Sequence, residues 1–165
     1  MKIKAYEGYL ADKYGKYAAP EFTNDGVPVV SLPIELTDIP ATTVSLALIM
    51  IDYDAIPVCG FPWIHWSAAN IEPTTVIAED FSRTATGIVQ GKNSLISPLG
   101  GATDPAVTEH YAGPTPPDKD HDYTLIVYAL DTKLDLPQGF YVNELRKAVV
   151  GHTLALTTTE IRSRS

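Results

Sequence analysis

The longest apolar run in the chain is Val44-Ser45-Leu46-Ala47-Leu48-Ile49-Met50-Ile51, closed by Asp52. It lacks the alternation of a half-exposed strand, so it predicts a central strand buried on both faces. Trp63 to Ile71 predicts a second strand. Tyr123 to Leu130 predicts a third, rich in the Tyr, Thr, Ile and Val that pleated backbone favours. Thr153 to Ile161 alternates closely enough to be a final strand. None of the 13 prolines falls inside these runs, so they punctuate the chain into loops and leave little room for long helices. One helix is expected, with Asn143 as its cap, Glu144 in its positive first turn, Arg146 and Lys147 in its last, and Gly151 beyond its end. Leu145, Val149 and Ala148 would form its inner face. The pattern predicts one mainly β domain over residues 1–165, least ordered at Leu10 to Asn24, Pro98 to Thr108 and the last few residues.

Composition narrows the functional classes. A chain of 165 residues can bury one independent core. Its net charge of -8, from 12 basic and 20 acidic residues, argues against nucleic acid or an anionic membrane surface as partner, since both need clustered Lys and Arg. Cys59 is the only cysteine, which excludes an intramolecular disulfide and a multi-cysteine zinc site. With no adjacent Lys or Arg to stabilise a thiolate, it is expected to be a semi-buried loop thiol. Residues Met1 to Gly8 lack the apolar core of a signal peptide, and no run reaches membrane-spanning length, so a cytoplasmic location is expected.

Candidate chemistry is concentrated in two stretches. One runs from Asp52-Tyr53-Asp54 to Trp63-Ile64-His65-Trp66, the other from Gly113-Pro114-Thr115-Pro116-Pro117 through Asp118-Lys119-Asp120 to His121-Asp122-Tyr123. An imidazole donates from one ring nitrogen and accepts at the other, so two histidines facing one cavity suit an oxyanion, a metal or a reacting group equally. Each residue also has a structural reading. Asp52 and Asp54 follow a strand, where Asp commonly forms turns. His65 lies within an apolar strand, the place of a satisfied core histidine, whereas His121 opens a strand after a loop, where sites are built. Trp63, Trp66 and Tyr123 would each pass as core, and His110 and His152 carry no specific expectation. Ser94 and Ser97 sit in no Gly-x-Ser-x-Gly elbow. Two alternatives to a binding pocket stay open. Asp52, Asp54, His65 and His121 could ligate a divalent metal for hydrolysis, or the Asp-rich rim could dock a basic protein partner. Self-association through an exposed edge strand, as a homodimer, is a further expectation.

Together these residues resemble a known family. The buried strand with Asp52-Tyr53-Asp54-Ala55-Ile56-Pro57, then Trp63-Ile64-His65-Trp66 and Asn70-Ile71, is similar to the first signature of the phosphatidylethanolamine-binding proteins, called Raf kinase inhibitor-like in their bacterial branch. Tyr111-Ala112-Gly113-Pro114-Thr115-Pro116-Pro117, then His121-Asp122-Tyr123 and the strand ending Tyr128-Ala129-Leu130-Asp131, resembles the second. Gly151-His152-Thr153-Leu154-Ala155 resembles the segment joining the late helix to the closing strand, and the likeness covers residues 41 to 162.

The resemblance implies a large antiparallel sheet packed on a smaller one, and a surface cavity for phosphate-like groups and phospholipid head groups. It implies Asp52 at the cavity floor with Asp54 beside it, His65 and His121 as the two histidines, Tyr123 next to the second, and Pro116 and Pro117 at the rim. It implies binding rather than catalysis, with no metal and no cofactor, and in some members regulation of a kinase or protease. This chain departs from the pattern in three places. Tyr53 stands where the family has proline, so that a cis bond there would cost about 3–4 kcal/mol. Ile56 is inserted before Pro57, and Asp122 replaces a common arginine, with Asp118 and Asp120 just upstream. A floor carboxylate beside two imidazoles should favour their charged forms, so ligand binding should strengthen as pH falls.

Overall fold

The computed structural model describes residues 1–165. Ten strands follow in chain order: β1 (Lys2–Ile3), β2 (Thr23–Asn24), β3 (Val27–Pro28), β4 (Ile34–Thr37), β5 (Ser45–Asp52), β6 (Trp63–Ile71), β7 (Val76–Ile77), β8 (Val89–Gln90), β9 (His121–Leu130) and β10 (Thr153–Ser163). Four helices are interspersed: α1 (Ile56–Cys59), α2 (Phe81–Thr84), α3 (Pro105–Thr108) and α4 (Val142–Ala148). The large sheet has the order β10-β9-β5-β6-β8 and a smaller one the order β1-β4-β7, with β2 and β3 as a separate hairpin. All named pairs are antiparallel.

β5 is central because every one of its eight residues is buried. Its two faces enter two different cores. Leu46, Leu48 and Met50 join Trp66, Ala68, Tyr123, Leu125 and Val127, and meet Ile34 and Leu36 of β4 and Ile77 of β7. Ala47, Ile49 and Ile51 join Tyr128 and Leu130 on the opposite face, covered by Leu134, Phe140, and Leu145 and Val149 of the α4 region. The large sheet therefore packs on the smaller one as expected, and a helix and a loop close its other side.

Two positions shift relative to the sequence reading. α4 begins at Val142 rather than being capped by Asn143. Glu144 reaches back to accept the Tyr141 N–H at 2.6 Å, which satisfies the helix start and leaves Asn143 inside the first turn. β9 begins at His121, two residues early, which places that histidine on the sheet. Residues 10–24, expected to be loose, carry two single turns of 3-10 helix. They are tied to the rest of the fold: Leu10 N–H donates to Arg162 O, and buried Tyr14 accepts the Tyr111 hydroxyl at its carbonyl, 2.8 Å away. The same segment braces the loop before β9: a Cβ on Gly113, whose N–H donates to Pro28 O of β3, would lie 2.3 Å from the Tyr14 carbonyl oxygen. Only glycine lets those two backbones approach so closely.

Candidate functional site

The β5–β6 pairing is irregular at the point where the site is built. Met50 pairs with Trp66 but Ile51 pairs with Ile64, so His65 is an extra residue with no partner on β5. Such a bulge re-aims a side chain that strict alternation would send to the other face. It turns His65 to the side of Tyr123, whose ring it meets edge-on at 4.9 Å. A second irregularity near Leu46 and Leu48 coincides with Asn70 at φ 63, a conformation asparagine tolerates. The Asn70 side chain there brackets the covering loop, donating to Leu134 O and accepting Leu134 N–H.

A cavity of about 210 Å³ results, lined by Asp52, Trp63, His65, His121 and Tyr123 from the sheet, with Pro117 at the rim. Thr115 and the first turn after β5, through Ala55, Val58 and Cys59, complete the wall. Asp52 serves both readings given to it. Its Oδ1 accepts the Ala55 N–H at 3.1 Å and shapes the turn, while its Oδ2 accepts from His121 Nδ1 at 2.8 Å. Asp54 does not line the cavity; its Oδ2 accepts the Asp122 N–H and so joins the turn to β9. Pro116 is turned inward and buried, its carbonyl accepting from Lys16 Nζ. The sheet thus brings Asp52, His65, His121, Tyr123 and Pro117 together and leaves Asp54 and Pro116 as supports. Trp63, Thr115 and Cys59 are wall residues that sequence reasoning passed over, although Trp63 opens the first signature.

The surroundings shift the two histidines in opposite directions. His65 is buried and donates from Nδ1 to Ala112 O at 2.7 Å, so that its other nitrogen carries a lone pair. Burial pulls its pKa down, and the Ala112 bond and the Asp52 charge do not offset that. His121 is also opposed by burial, but carboxylates at both ring nitrogens, Asp52 at 2.8 Å and Asp118 at 2.9 Å, raise its pKa above the ordinary value. Burial and the neighbouring Asp52 push the Tyr123 hydroxyl far up, so it stays protonated. The expectation that the floor carboxylate charges both imidazoles therefore fails at His65, where desolvation wins. In ¹⁵N-resolved NMR, His65 should show the neutral Nδ1–H tautomer and titrate at a lower pH than an ordinary histidine, and His121 at a higher one. Matching titrations of the two rings would contradict this assignment.

No group of three or more His, Cys, Asp or Glu side chains has a geometry that could hold a metal ion. His121 has both nitrogens engaged and Asp54 faces away, so the four residues considered for a metal do not converge.

The chain matches the family model described as phosphatidylethanolamine-binding protein over residues 8–163, and it belongs to that family. It is 53% identical to YxkA of Bacillus subtilis over 159 residues, 94% of each chain. A protein of Methanothermobacter thermautotrophicus is 36% identical over 81% of each chain. Among solved structures, the Chlamydia trachomatis homologue CT736 superposes with a TM-score of 0.73 at 28% identity, covering 99% of this chain and 97% of that one. Escherichia coli YbcL shares the fold, with a TM-score of 0.76 at 22% identity, covering 99% of this chain and 98% of that one. No helix is long and apolar enough to cross a membrane.

Proposed function

We propose that this protein is a non-catalytic binding protein whose cavity takes a small oxyanion-bearing molecule, either free phosphate-like or the head group of a phospholipid. The observation that carries this reading is the buried His121 ring, held by carboxylates at both nitrogens, on the wall of a cavity whose lining includes Trp63, Tyr123, Val58 and Pro117. In such a low-dielectric setting a cationic donor attracts an anion strongly, and apolar walls exclude competing water. His65 supplies the complement: its lone-pair nitrogen accepts from a protonated phosphate oxygen or from an ammonium group. Monoanions and zwitterions suit this pair of one donor and one acceptor better than polyanions do. Family membership supports the same reading, and regulation of a protein partner through the rim would be a consequence of ligand occupancy.

Titration with phosphate and with phosphoethanolamine at slightly acidic pH should move the ring signals of His65 and His121 together and leave exposed His152 unmoved. His121→Ala should weaken phosphate binding by roughly tenfold or more, the value of a lost charge-assisted hydrogen bond. Independent ring responses, or unaltered affinity in the variant, would reject a shared pocket.

A further inference from the structure

His121 Nε2 is held by the Asp118 carboxylate of the rim loop at 2.9 Å while Asp52 holds Nδ1 at 2.8 Å. The ring therefore has no N–H left for a ligand. His65 offers none either, because its single proton goes to the Ala112 carbonyl. Any oxyanion that binds through a histidine must first remove one of the chain's own carboxylates. The two are not equally removable. The Asp52 side chain is 5% exposed and also shapes the turn at Ala55, whereas the Asp118 side chain is 49% exposed and makes its one side-chain ion pair with His121. Releasing Asp118 returns a carboxylate to water, and releasing Asp52 would strand one in the core.

Resting on the oxyanion-binding reading above, we infer that Asp118 is an internal stand-in for the ligand's anion, exchanging with it at His121 Nε2 and setting which ligands enter. A tethered carboxylate competes at a high effective concentration, so only an oxyanion that binds better than this built-in one displaces it. Once displaced, Asp118 stands at the mouth as a free negative charge. A ligand that carries an ammonium group beside its oxyanion gives that charge a new partner, whereas inorganic phosphate leaves it unpaired and repelled. The exchange thus favours a zwitterion of the phosphoethanolamine type over a bare anion. Asp120 does not share this role: its carboxylate accepts from Tyr9 Oη and from Ser165 N–H. Asp122 is exposed on β9, and its backbone N–H donates to Asp54 Oδ2.

The test compares the parent with Asp118→Ala and Asp118→Asn. Inorganic phosphate should bind about tenfold more tightly to Asp118→Ala, the factor expected when a charge-assisted hydrogen bond no longer competes. Phosphoethanolamine should gain less, because the same change removes its ammonium partner. In the unliganded variants the His121 ring should titrate at a lower pH than in the parent. Phosphate binding equal in parent and Asp118→Ala would overturn the exchange while leaving the oxyanion site in place. An unmoved His121 titration would overturn it without reference to any ligand, and absence of phosphate binding from all three proteins would overturn the site itself.

Discussion

Replacing Asp52 by alanine should lower the stability of the fold by about 3–5 kcal/mol at pH 6, the usual consequence of stripping one partner from a buried ion pair. His121 is the reason: its side chain is fully buried, and Asp52 is its only buried partner. The turn at Ala55 loses its acceptor as well. The deficit should depend on pH with a defined sign. The folded-state pKa of His121 lies above its unfolded value, so its contribution to stability is complete below the unfolded pKa near 6.5 and fades as pH rises through the raised one. Parent and variant should thus differ most at mildly acidic pH and converge on the alkaline side. His65 acts in the opposite sense, since a buried neutral imidazole disfavours the folded state as pH falls. Denaturant midpoints measured from pH 5.5 to 9 check the prediction. A pH-independent difference would mean that Asp52 acts through the turn alone.

Trp66→Ala should be as damaging, by about 3–5 kcal/mol, because it empties the largest fully buried side chain of the main core. Trp66 also stacks edge-on against Tyr111 at 5.7 Å and donates from Nε1 to Gln90 Oε1 at 2.8 Å. Gln90 keeps a second donor in Ser82 Oγ, so no polar atom is orphaned, and most of the loss is packing. Trp66→Phe should recover the larger part of it. Equilibrium unfolding of both variants separates the two terms; an alanine variant within 1 kcal/mol of the parent would show that this core collapses around the gap.

β5 could be read from the chain because burial on both faces leaves a plain mark, a nearly continuous apolar run between prolines. The family likeness placed both histidines. What the pattern did not carry was parity along β6. Trp63, His65 and Trp66 reach the cavity and the core on one side of the sheet, which no alternation of apolar and polar residues predicts and only the unpaired His65 explains. The second core was hidden as well, because Leu134 and Phe140 lie in a loop with no periodicity to mark them. Asp118 read as one more acid of the rim, since nothing in the residue pattern shows that the loop folds its carboxylate back onto His121 Nε2. The α4 start was misplaced because Glu144 caps from inside the helix and the residue before it, Tyr141, has no short polar side chain.

The extra residue in β6 has a consequence for how such a site arises and is lost. Excising His65 would leave Ile64 and Trp66 in ordinary succession, and the pairing would run without a shift from Asp52 to Leu48. The pocket would lose its His65 side chain while that end of the sheet became more regular. The placement of His65 is thus written in the number of residues along a strand as much as in their identity. Lineages in which the His65 codon has dropped out should keep the fold and lack the histidine that meets Tyr123 edge-on.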